Sequence, residues 1–176
     1  MNAIKLLKQD HKQVSTLFDE FEDAQQADKG GIAEQICQEL TVHAQIEEEL
    51  LYPAARDKLE ADDQDLVDEA AVEHATVKDL VSQIQASGES EPLFAAKVKV
   101  LGEYVKHHVK EEEGELFPKL EGSTLDLEAL GAELAVRKAE LLGEDVAADD
   151  AVADMQRDAP RKRGAKSART SNTIRR

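Results

Sequence analysis

Two stretches of this chain carry one pattern. Residues 43–53 read HAQIEEELLYP and residues 108–118 read HVKEEEGELFP. Each places a His, a Glu four residues on, further acid, and an aromatic–Pro pair whose Pro stands ten residues after the His. Each is also preceded by another His on an earlier segment: His11 lies 32 residues before His43, and His74 lies 34 before His108. The chain thus holds two copies of a His…His-x-x-x-Glu unit, which take up four of its five His. A His and a Glu four residues apart share one face of a helix, one turn apart. Imidazole with carboxylate is a donor set that suits iron, manganese or zinc.

Apolar spacing places these residues on helices. Ile4, Leu7, His11, Val14, Phe18 and Phe21 step by three and four, with Asn2 as a cap and Gly30-Gly31 as the expected stop. Ile36, Leu40, His43, Glu47 and Leu50 repeat the step until Pro53, which is expected to break or kink the helix. After the acidic turn Asp62-Asp63-Gln64-Asp65, a third stripe runs Val67, Ala70, His74, Val77, Val81, Ile84 and stops at Ser87-Gly88. Ser90 and Pro92 open a fourth, Phe94, Val98, Leu101, Val105, His108 and Glu112, with Pro118 at its end. Four amphipathic helices with short connections predict an all-α fold, an up-down-up-down four-helix bundle whose seams face inward. The polar residues interrupting those seams are His11, His43, Glu47, His74, His108 and Glu112. All six are therefore expected inside the bundle. Six titratable groups buried together need a compensating ion, and a dinuclear metal site supplies it.

The composition supports this reading and narrows it. Ala, Leu, Glu, Lys and Gln are helix formers, and Trp is absent. The formal charge of −16 is unevenly distributed: residues 157–176 hold eight of the 22 Lys+Arg and one of the 38 acids, so residues 1–156 carry −23. An acidic body argues against nucleic acid as a partner of the folded part, and leaves the basic tail as a weak contact at most. The lone Cys37 excludes an intramolecular disulfide and fits a reducing cytosol. The charged stretch Met1 to Asp10 has no apolar signal region, and no apolar run reaches the roughly 20 residues of a membrane span. A cytoplasmic protein, monomer or homodimer, is the expectation.

A weaker fifth stripe, Leu127, Leu130, Leu134, Lys138 and Leu141, predicts a helix from about Asp126 to Leu142 that covers the bundle or mediates dimerisation. From Gly143 on the periodicity is lost, which predicts a disordered tail. The expected organisation is a bundle over 1–120, an additional helix over 121–143 and a tail over 144–176.

The LLKQDHKQV start, HAQIEEELLYP, EHATVK and HHVKEEEGELFPKL together resemble the hemerythrin HHE cation-binding domain of bacterial proteins, over roughly residues 4–120. The resemblance implies a non-haem di-iron centre in a four-helix bundle that binds O2, NO or peroxide, with His11, His43, Glu47, His74, His108 and Glu112 as ligands to two iron ions. The function it implies is sensing or stress protection. Two alternatives remain: a di-iron oxidoreductase of peroxidase or catalase-like type, or an iron-binding regulatory or storage module. Oxygen-carrying members have a second His one turn after the third-helix His, where this chain has Lys78. One iron is therefore expected to have one protein ligand fewer, which favours reaction over reversible carriage. His107 is expected to flank the site, with His108 as the ligand. Tyr104, one turn before His108, is a candidate to line the site, although packing at the edge of the core is the stronger expectation for it. Glu48, Glu49, Glu113 and Glu115 are expected on the solvated face, with one of them behind a ligating His.

Overall fold

The structure, a computed structural model, describes residues 1–143. The expected tail over 144–176 lies outside the described residues. The bundle is built from α1 (Ala3–Asp23), α2 (Gln26–Ile46), α4 (Gln64–Ala86) and α5 (Phe94–Glu111). Asn2 caps α1 by accepting from the Lys5 amide, as its side chain suggests. Helix α4 ends at Ala86 with Ser87 as its cap, and α5 begins just after the Ser90–Pro92 turn.

The stop expected at Gly30-Gly31 is not there. Helix α1 ends at Asp23, a tight extended turn at Ala24-Gln25 follows, and both glycines lie inside α2. The reason is Lys29. Its ammonium donates to the Phe21 carbonyl at 2.7 Å and sits over the Phe21 ring, so the end of α1 is satisfied without a glycine cap.

Pro53 and Pro118 do not end their helices either. Each follows a π-helical turn, Glu47–Leu51 after α2 and Glu112–Leu116 after α5. The chain then continues helically as α3 (Tyr52–Lys58) and α6 (Phe117–Gly122). In each turn the amide five residues on donates back: Tyr52 to the Glu47 carbonyl, Phe117 to the Glu112 carbonyl. On an α-helix a residue five positions on has rotated about 140° past the first. A π turn, which closes i to i+5, brings it back under the first residue. Tyr52 and Phe117 are thereby turned inward, and both are buried.

Helix α7 (Leu127–Leu142) is the expected fifth helix. Asp126 caps its start by accepting from the Ala129 amide, and Gly143 ends it in the left-handed region at φ 71°. It lies against α1 and α2. Gly131 faces the backbone of Met1–Ala3 so closely that a Cβ there would collide with it.

Two apolar cores fill the bundle. One gathers Leu7, Ile46, Leu51, Leu116, Phe117 and Leu120 with Leu130 and Leu134 of α7. The other gathers Val14, Phe21, Ile36, Leu40, Val81, Phe94, Val98 and Leu101. Along α1, His11 stands between Leu7 of the first core and Val14 of the second; along α2, His43 stands between Ile46 and Leu40. A single polar layer therefore separates two apolar ones, and the apolar layers fix where the polar one sits. Among the described residues no helix is long and apolar enough to cross a membrane.

Candidate metal centre

All six seam residues are buried in that layer: His11, His43, Glu47, His74, His108 and Glu112 are each at most 7% exposed. Their geometry is ordered. Every imidazole turns Nε2 inward. The Nε2 atoms of His11 and His43 are 3.2 Å apart, as are those of His74 and His108. Glu47 Oε2 lies 3.2 Å from His43 Nε2 and 3.3 Å from His74 Nε2. Glu112 Oε2 lies 3.2 Å from His11 Nε2 and 3.8 Å from His108 Nε2. Each carboxylate thus reaches one His of each repeat. Two overlapping groups result, His11–His43–Glu47–Glu112 and Glu47–His74–His108, whose donor atoms within each group lie within 4.8 Å of one another.

Despite this proximity, none of the four oxygens of Glu47 and Glu112 makes a hydrogen bond of acceptable geometry. A buried carboxylate oxygen without a donor is costly; of these four, Glu47 Oε2 and Glu112 Oε2 lie 3.2–3.8 Å from the four inward ring nitrogens, which fits metal coordination. Protein-only electrostatics gives the same picture. Burial, and then the neighbouring Glu112, push Glu47 up to about 7. Burial opposes charge on His11 too, but Glu112, Glu47 and Glu113 outweigh it and lift it to about 9. Burial likewise raises Glu112, but the His11, His108 and His43 imidazoles around it outweigh burial and bring it below the usual carboxylate range. His74 is lowered, chiefly by burial. Without a cation the cluster holds protons that a cation would displace.

The outer face is equally regular. His11 Nδ1 meets Glu113 at 2.8 Å, His74 Nδ1 meets Glu48 at 3.1 Å, and His108 Nδ1 meets Glu73 at 2.8 Å. The fourth, His43 Nδ1, faces Asp10 at 3.6 Å, beyond hydrogen-bond reach. A carboxylate behind a ring nitrogen fixes the tautomer that leaves Nε2 free to bind. Two carboxylates behind His were thus placed on the expected solvated stretch, Glu48 and Glu113; Glu49 instead pairs with Arg137. Asp10 and Glu73 were missed, although the sequence carries a signal for them. Each repeat reads acid-His in its first helix (Asp10-His11, Glu73-His74) and Glu-Glu in its second (Glu47-Glu48, Glu112-Glu113).

His107 is 59% exposed and pairs with Glu73 and Glu111 on the surface. Tyr104 is 46% exposed and does not line the centre. The aromatic beside the imidazoles is Tyr52, whose hydroxyl lies 3.1 Å from His74 Nε2. Phe117 holds the matching place in the other repeat, stacked on His11 with ring centroids 6.0 Å apart. Lys78 points outward and pairs with Glu48, so it neither enters the centre nor blocks it.

A cavity of about 20 Å³ lies beside the four imidazoles, walled on its other side by Val14, Leu40, Val77, Val105 and Val109. It has room for about one water-sized molecule. A cleft of about 690 Å³ between α1 and α5 shares His11, Val105 and Val109 with it. Cys37 is buried, and burial, with Glu34 nearby, pushes its thiol up to about 11, which disfavours the thiolate.

Comparison with known proteins agrees with this geometry. Over 121 residues the chain is 39% identical to a DNA nickase of Nostoc sp.; the match covers 66% of this chain but 33% of that protein, so the chain spans about a third of its relative's length. The fold matches the crystal structure of a hemerythrin HHE cation binding domain-containing protein from Mycobacterium kansasii, with a TM-score of 0.69 and 26% identity over 81% of this chain and 88% of that one. Residues 2–120 match the hemerythrin HHE cation binding domain as a family. With a pair of His/Glu groups able to hold a cation at the centre of its bundle, this chain belongs to the hemerythrin HHE cation-binding domain family.

Proposed function

We propose that the domain holds two iron ions, one on His11 and His43 and the other on His74 and His108, with Glu47 and Glu112 shared between them. The observation that carries this is the set of four buried carboxylate oxygens without hydrogen-bond donors, facing four inward Nε2 atoms. Iron bound there supplies the redox chemistry and the affinity for O2, NO or peroxide. The chain's own residues do the rest. Glu113, Glu48 and Glu73 hold the Nδ1 protons of three imidazoles and so orient them. The valine-walled cavity leaves room beside the imidazoles for about one water-sized ligand. The role is sensing or stress protection in the cytoplasm.

One observation favours a second reading, a peroxidase or catalase-like oxidoreductase. Tyr52 places a buried O–H among the inward nitrogens, and burial and the surrounding acids push its phenol well above its ordinary range. It stays protonated and can donate a hydrogen bond or a proton to a bound ligand. Nicking of DNA is no part of either reading, because a body of −23 repels phosphate. The test is stopped-flow absorbance of anaerobically reduced, iron-loaded protein mixed with O2, NO or peroxide. Rapid ligand-dependent spectra support the first reading. Repeated peroxide turnover, lost in Tyr52→Phe with iron content retained, selects the second. A protein that takes up iron but responds to none of the three defeats both.

A further inference from the structure

Lys138 stands in the apolar stripe of α7, where a helix that only covered the bundle would carry another Leu. Its side chain is 18% exposed, and its ammonium donates to Asp10 Oδ1 at 2.7 Å; the Asp10 side chain is 7% exposed. The other oxygen, Oδ2, faces His43 Nδ1 at 3.6 Å, and neither of these two buried atoms has a hydrogen-bond partner. The other three imidazoles bond their carboxylates at 2.8–3.1 Å. His43 is the exception, and it is also the one whose carboxylate a half-buried lysine holds. Glu48 has a lysine partner too, Lys78, but that lysine is 47% exposed, and Glu48 still reaches His74.

We infer that α7 is a working part of the metal centre: through Lys138 it holds the Asp10 carboxylate back from His43, making His43 the weakest donor of the four and the two cations inequivalent. A carboxylate bonded to Nδ1 makes the imidazole more electron-rich and a better ligand at Nε2. A lysine that competes for that carboxylate withholds this, and its own positive charge further disfavours the more oxidised cation. Lys138 is thus a positioning residue that acts through Asp10. The arrangement depends on the seating of α7, which Leu130 and Leu134 in the first core and the close crossing at Gly131 secure.

This inference rests on the reading of the six inward residues as ligands, and the test separates the two. The full chain is loaded with cobalt(II), and the exchangeable, hyperfine-shifted imidazole N–H signals are counted beside a cobalt titration. The parent should show three N–H signals protected from exchange and a fourth that exchanges fast, that of His43. In Lys138→Met, Asp10 is free to turn to His43, so the fourth signal becomes protected, and cobalt affinity rises about tenfold, the lower end of what outer partners of metal-bound His contribute. In the iron-loaded protein the midpoint potential moves negative. Lys138→Arg should keep the parent pattern, and Asp10→Asn should erase the effect of Lys138→Met in the double variant. Circular dichroism of each variant confirms that α7 and the bundle are folded. Four equally protected signals in the parent, or a Lys138→Met effect that persists with Asp10→Asn, would overturn the inference while leaving the ligand set intact. A parent that binds no cobalt would sink both.

Discussion

The clearest consequence of the centre's geometry concerns the protein without its metal. Glu47 is fully buried, has no hydrogen-bond donor, and is raised from 4.5 to about 7 by burial and by Glu112. The folded metal-free chain therefore keeps a proton on Glu47 between pH 4.5 and about 7 that the unfolded chain has released. Where the folded state binds more protons, stability falls as pH rises. At about 1.4 kcal/mol per pH unit, the loss attributable to Glu47 between pH 5 and pH 8 is about 2–3 kcal/mol. Glu47→Gln keeps the shape and removes the charge. Urea unfolding of metal-free parent and variant at both pH values should show the stability difference moving by that amount in the variant's favour. The same variant should bind less iron, since it has lost a shared carboxylate. Stability without metal and affinity for metal thus move in opposite directions, which a merely structural acid would not show. Parallel pH profiles for parent and variant would refute the reasoning, because they would mean that Glu47 is solvated or paired.

Other consequences follow from the packing. Leu134→Ala opens a cavity under α7 in the first core and should cost about 2–5 kcal/mol of stability in urea unfolding; a cost below 1 kcal/mol would show that α7 is not seated there. Val105→Phe fills the junction of the small cavity and the α1–α5 cleft. It should slow ligand association with reduced, iron-loaded protein at least tenfold in stopped flow, with iron content unchanged; an unaltered rate would point to another path. His107→Ala should leave iron uptake at the parent level, because His107 is on the surface, whereas His108→Ala should lower it.

The six inward residues were legible because each interrupts an apolar stripe at helical spacing, and the bundle holds its seams in that register. Two features escaped for one physical reason. Periodicity of 3.6 assumes an unbroken α-helix, and both second helices contain a π turn beginning at the inward Glu. That turn moves Tyr52 and Phe117 onto the inner face, where a 3.6 wheel does not place them. The end of α1 escaped because Lys29, eight residues beyond Phe21, caps it across the turn; a glycine pair is the local signal for a stop, while a lysine arriving from the next helix is not local. Lys78, where one protein ligand fewer is expected, turns its side chain out of the seam to Glu48, and the hydroxyl of Tyr52 lies near His74. Of the four outer carboxylates, Asp10 and Glu73 sit beside a seam His on their own helix but serve a His on another, Asp10 facing His43 and Glu73 bonding His108. That relation belongs to the tertiary packing and shows in the sequence only as the repeated acid-His pair.

The proposed function requires one centre for two cations. An anaerobic titration of metal-free protein with ferrous iron, followed by equilibrium dialysis and metal analysis, measures it directly. Two equivalents per chain are expected for the parent, and fewer for single alanine variants of His11, His43, Glu47, His74, His108 and Glu112. One equivalent in the parent, or two equivalents retained when Glu47 and Glu112 are both replaced by alanine, would contradict the shared-carboxylate centre.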